Sequence, residues 1–61
     1  MQRIAESLGV YVLRRGDVLT AYAAHGHDYL DETDVAGCDD VTVQELAQEL
    51  ISWNTQERDH D

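Results

Sequence analysis

The chain has 61 residues, enough for one domain around one small core, since a chain this short buries only about 60% of its unfolded surface. Its thirteen acidic residues face four arginines and no lysine, a formal charge of −9, which argues against direct nucleic-acid binding and against an acidic membrane surface, both of which depend on basic side chains. No run approaches the roughly 20 apolar residues of a membrane span, and Cys38, the single cysteine, cannot close an internal disulfide. With no apolar signal sequence in Met1 to Ser7, this points to a cytoplasmic, reducing setting.

In chain order, Gln2 to Leu8 reads as two turns of helix, with Ile4 and Leu8 on one face and Gly9 as the stop. Val10 to Leu13 is rich in β-branched and aromatic residues and reads as a strand. Arg14 to Asp17 reads as a turn with Gly16 at positive φ, and Val18 to Ala24 as the return strand. On the return strand, Val18, Thr20 and Tyr22 lie on one face and Leu19, Ala21 and Ala23 on the other. A lone hairpin is not stable in water, so one face must pack on another element.

His25 to Leu30 either extends the second strand past a glycine bulge or starts a third strand near Asp28 to Leu30. Asp31 to Asp40 reads as an acidic loop with a brief extended piece at Val35. A helix is expected from Thr42, where Thr42-Val43-Gln44-Glu45 fits a capping box. Its apolar face would be Val43, Leu46, Ala47, Leu50, Ile51 and Trp53, ending at Trp53 or Asn54. Trp53 and Tyr11 or Tyr22 are expected in the core, with Tyr29 left as a surface anchor.

The expected fold is therefore α+β: a small antiparallel sheet, made of the hairpin with a third strand, packed against a C-terminal helix, with a short N-terminal helix. Residues 1–55 form a single domain and residues 56–61 a frayed acidic tail. Apolar residues reach 43% and come in organised runs, which argues against disorder of the body despite the charge.

No reaction chemistry is evident. His25-x-His27-Asp28, with Cys38, has metal-ligand types but lacks a second spaced pair, and ordinary surface histidines are the favoured reading. Cys38 lies beside Asp39 and Asp40, whose charges disfavour a thiolate. Asp31, Glu32, Asp34, Asp39 and Asp40 do not follow the spacing of an EF-hand loop. Paired carboxylates do acid–base work only in a pocket that separates their pKa values, and a domain this small seldom encloses one. The chain is therefore expected to be no enzyme and to need no cofactor and no metal.

Charge is the informative feature. Eleven of the thirteen acids lie from Asp28 onward, against Arg58 alone. Salt adaptation would spread acidity over the whole surface, whereas this charge is segregated. Glu45 and Glu49 stand one helical turn apart, about 6 Å along the axis, on the order of the spacing between charges on a nucleic-acid strand. Together with the loop acids ahead of the helix they suggest an extended negative row, aimed at a basic partner protein.

In size, acidity, single-domain build and lack of catalytic motifs, the whole chain resembles the small phage anti-CRISPR proteins. It is similar in particular to acidic members that act as mimics of double-stranded DNA on type I surveillance complexes, type I-C among them. That resemblance implies a monomeric inhibitor in the cytoplasm of a bacterial host. Asp28, Asp31, Glu32, Asp34, Asp39, Asp40, Glu45 and Glu49 would occupy the site in the large subunit that reads the protospacer-adjacent motif. The hairpin, the Gly37-Cys38 loop and Thr42-Val43-Gln44-Glu45-Leu46 also resemble HicB-like antitoxin domains, which would imply an acidic antitoxin or adaptor neutralising a basic protein.

Overall fold

A computed structural model describes residues 2–55, which form four strands and one helix. These are β1 (Gln2–Ser7), β2 (Val10–Arg15), β3 (Val18–Ala23), β4 (Tyr29–Asp34) and α1 (Asp40–Asn54). The strands make one antiparallel sheet in the order β1-β2-β3-β4. The helix lies across all four strands on one face, so the α+β class and the C-terminal helix expected from the sequence are present. The acidic tail expected over 56–61 lies outside the described residues.

Two tight turns set the meander. Ser7 pairs with Val10 and Arg15 with Val18, leaving two-residue loops at Leu8-Gly9 and Gly16-Asp17. In the first loop both residues have positive φ, Leu8 at 54° and Gly9 at 81°, the requirement of a type I′ hairpin turn. In the second, Gly16 alone is positive, at 60°, as a type II′ turn requires of its first central residue.

The expected N-terminal helix is therefore replaced by β1. Two isolated turns of helix are marginal in water, whereas pairing with β2 satisfies the backbone groups of residues 2–7. Ile4 and Leu8 do not share a face: Ile4 sits at a bulge and packs on the core, while Leu8 is exposed in the turn. The stretch Asp31 to Asp34, expected as loop, is the larger part of β4. Its composition disfavours strand, but β4 is an edge, where charged side chains are tolerated and discourage pairing with other chains.

The core lies between the sheet and α1. Val10 and Val12 from β2, Leu19 and Ala21 from β3, and Val35 after β4 meet Val43, Ala47, Leu50 and Ile51 of the helix. Leu19, Ala21 and Ala23 are the buried half of β3, as the alternation predicts. Cys38 is half-buried against this cluster. The helix starts three residues earlier than the capping box implied at its Thr42 cap. Asp39 is the N-cap, its Oδ1 accepting from the Thr42 amide at 2.9 Å, while its carbonyl accepts from the Val43 amide at 3.0 Å.

Trp53 corrects a second expectation, for it is 63% exposed and outside the core. At 100° per residue it falls beside Leu46, at the margin of the Val43-Ala47-Leu50 stripe, and Leu46 itself is only half-buried. Of the other aromatics, Tyr11 is buried at 7% exposure but on the sheet face away from α1, under Arg3 and beside Tyr22, and Tyr29 is 57% exposed, as expected.

Candidate functional site

The direction of α1 decides where its acids go. Val35 leaves β4 with its amide donating to the Asp17 carbonyl at 2.7 Å, so the helix begins at the end of the sheet that holds the β2–β3 turn. It finishes at the other end, where the Asn54 Nδ2 group reaches Asp31 Oδ2 at 3.4 Å and the Thr55 hydroxyl donates to the Leu8 carbonyl at 2.9 Å. A 15-residue helix is about 22 Å long and a six-residue strand about 20 Å, so α1 is long enough to cross the sheet from one end to the other, touching all four strands on the way.

The eight candidate acids divide into two tracks and one outlier. Asp39, Asp40, Glu45 and Glu49 follow α1, all of them exposed. Asp40 and Glu45 border a shallow open depression with Val41, Gln44 and Gln48, and Val41 is 65% exposed. Asp31, Glu32 and Asp34 follow the β4 edge, but strand alternation splits them. Asp31 pairs with Ala21 on the helix side, whereas Glu32 and Asp34 pair with Thr20 and Val18 on the open side. Asp28 precedes β4, at the end of the sheet opposite Asp39 and Asp40, and its carbonyl accepts from the Ala23 amide at 2.8 Å.

Three of these carboxylates also hold the backbone in place. Asp34 Oδ1 accepts from the Ala36 amide at 3.0 Å, Asp31 Oδ1 from the Glu32 amide at 2.8 Å, and Asp39 caps α1. The Thr42 amide at Asp39 holds that carboxyl below its ordinary pKa, because the hydrogen bond favours the charged form. Glu45, Glu49 and Asp40 have no such duty among the described residues. The one ion pair among the described residues joins Arg3 to Glu6 at 3.1 Å, away from both acidic tracks. The acids of β4 and α1 are thus not neutralised by any arginine among the described residues.

The metal-like residues do not converge. Among the described residues no group of three or more His, Cys, Asp or Glu side chains is placed to hold an ion. The His27 Nδ1 is instead 2.8 Å from the Tyr11 hydroxyl, and Cys38 packs on the core.

Sequence reasoning missed the apolar component of the helix surface and the organisation of the opposite sheet face. Val41 and Trp53 stand exposed on the same helix as the acids. A helical wheel centred on Val43, Ala47 and Leu50 would have placed both outside the stripe. On the sheet's open face, Arg3 lies 4.4 Å over the Tyr11 ring, Tyr11 stacks on Tyr22 with centroids 5.5 Å apart, and Tyr22 meets Tyr29 edge-on at 6.4 Å. Partial desolvation, then the neighbouring Glu32 and Asp31 charges, raises the Tyr29 hydroxyl above its ordinary pKa. Comparison with protein-family models, with curated proteins and with solved structures finds no match to this chain.

Proposed function

We propose that this chain is an acidic protein-binding inhibitor that mimics double-stranded DNA and occupies the basic site reading the protospacer-adjacent motif in the large subunit of a type I CRISPR–Cas complex. Its place of action is the cytoplasm of a bacterial host. The observation that carries this reading is the exposed carboxylate track of α1, Asp40, Glu45 and Glu49, with no basic partner among the described residues. Unneutralised charge on a small domain costs self-repulsion, and a basic partner surface relieves it. Asp28, Asp31, Glu32, Asp34 and Asp39 extend the negative field around the β4 side, while the exposed Val41 and Trp53 supply apolar contact that phosphates alone lack.

A second reading, an acidic antitoxin or adaptor, draws support from the order of β4, the Gly37-Cys38 loop and a capped helix. It uses the same electrostatics on a different basic protein. Phage plating on bacteria with active CRISPR–Cas of different types, with and without the chain expressed, separates the two. Restored plating on a type I system supports the inhibitor, and soluble protein that rescues plating on no type contradicts it and favours the antitoxin.

A further inference from the structure

Two of the three rows on the sheet face turned away from α1 are ordered by charge from one edge to the other, with Arg3 on the β1 edge also paired with Glu6 of the third row at 3.1 Å. Strand register places Arg3, Leu13, Thr20 and Glu32 in one row across β1, β2, β3 and β4. The row toward the β2–β3 turn runs Arg15, Val18, Asp34. In both rows an arginine stands on the β1–β2 side and a carboxylate on β4, with apolar or neutral side chains between them. The row on the other side of Arg3 runs Glu6, Tyr11, Tyr22, Tyr29 and is aromatic through its middle.

We infer that two copies of this chain associate through this open face, about a twofold axis lying between the two sheets and parallel to the strands. Such an axis sets β1 of each copy over β4 of the other and β2 over β3. Arg3 then meets the second copy's Glu32, Arg15 lies beside its Asp34, and the Glu6 carboxylate can accept from the Tyr29 hydroxyl. Aligned sheets stacked in this way pack about 10 Å apart.

Charge complementarity selects a second copy over other occupants. A basic protein would confront Arg3 and Arg15, and a nucleic acid would confront Glu6, Glu32 and Asp34. Only a surface with the reverse order of charge matches both edges, and the face is its own reverse. At −9 the chain repels its copies over most of its surface. The open face carries two of the three described arginines, so the repulsion is weakest there.

The area sets the strength. Four strands about 4.8 Å apart and about 20 Å long give a footprint of roughly 400 Å² per copy, about half of what a standard interface buries on each side. The dimer is therefore weak, forming between micromolar and millimolar concentration. In it α1 faces outward in both copies, so the α1 carboxylate track stays free for the proposed partner while Glu32 and Asp34 of β4 are covered.

Sedimentation of the full chain across that range tests the inference. The wild type should pass from monomer to dimer, and Arg3→Glu and Glu32→Arg should each remain monomeric when alone. Mixing the two variants should restore a dimer, because Glu at position 3 then meets Arg at position 32 while the wild-type pair completes the other side. Circular dichroism checks folding, and if Arg3→Glu unfolds through loss of its contact with Tyr11, Glu32→Arg in an exposed position carries the test. A wild type that stays monomeric to millimolar concentration, or a dimer indifferent to Glu32→Arg, overturns it.

Discussion

At Leu8 the backbone has a φ of 54°, a region where a side chain crowds its own carbonyl at a cost of about 1–2 kcal/mol. The turn needs positive φ at both central positions, and Asn-Gly is the pair that meets this most easily. Leu8→Asn should therefore stabilise the fold by about 1 kcal/mol, seen as a rise of roughly 4–8 °C in melting temperature. An unchanged or lower value would show that the half-exposed Leu8 side chain offsets its strain by packing. Asp39 is the second informative residue. Its carboxyl is held below the ordinary value by the Thr42 amide, so its contribution to stability is complete above the unfolded pKa, about 3.9, and is lost as pH falls through the lower folded value. Asp39→Asn keeps a capping oxygen but does not titrate. Wild type should lose melting temperature relative to this variant as the pH falls from about 3.9 through the lower folded value, and parallel curves would contradict the assignment. The cap was only half legible in the sequence, because Asp39 and Thr42 both belong to the preferred N-cap types and nothing local decides between them.

Among the elements, the central hairpin was legible from the β-branched and aromatic run Val10 to Leu13 and the turn at Gly16, and α1 from its apolar period of 3.6. β1 and β4 were not. Ile4 and Leu8 fit a helix at i, i+4, and the β1 pairing that overrides this is a tertiary contact with β2. β4 carries Asp31, Glu32 and Asp34, residues poor in strand propensity, and is a strand because β3 supplies its hydrogen bonds. The helix in turn holds the sheet through few side chains. Leu50 is almost wholly inaccessible, and Leu50→Ala should cost about 2–5 kcal/mol. A core of this size supplies only about 3–5 kcal/mol in total, so the variant should lose a large share of its stability, read by circular dichroism as a markedly lower urea midpoint. Trp53→Ala on the same helix should shift the urea-unfolding free energy by no more than about 0.5 kcal/mol, as expected of a surface position. A loss comparable with that of Leu50→Ala would place Trp53 in the core after all.

For the whole molecule, charge segregation along the chain becomes segregation in space only in part. The sequence shows that the acids cluster. It does not show that strand alternation sends Asp31 to one side of β4 and Glu32 and Asp34 to the other, or that three carboxylates are occupied with amides. α1 is the track least divided by the fold. Glu45 and Glu49 repel each other by a few tenths of a kcal/mol, so Glu45→Gln with Glu49→Gln should leave stability equal or slightly higher. The same pair of changes should weaken partner binding by about tenfold, the sum expected of two exposed charge contacts. Raising salt should weaken the wild-type complex as well, since exposed charges are screened over about 8 Å at physiological ionic strength. The most direct measurement of DNA mimicry is competition: a labelled duplex carrying the protospacer-adjacent motif, bound to a purified type I surveillance complex, titrated with this chain. The account predicts displacement of the duplex by the wild type and weaker displacement by the double Gln variant, whereas a complex that binds chain and duplex together, or does not bind the chain at all, would contradict it.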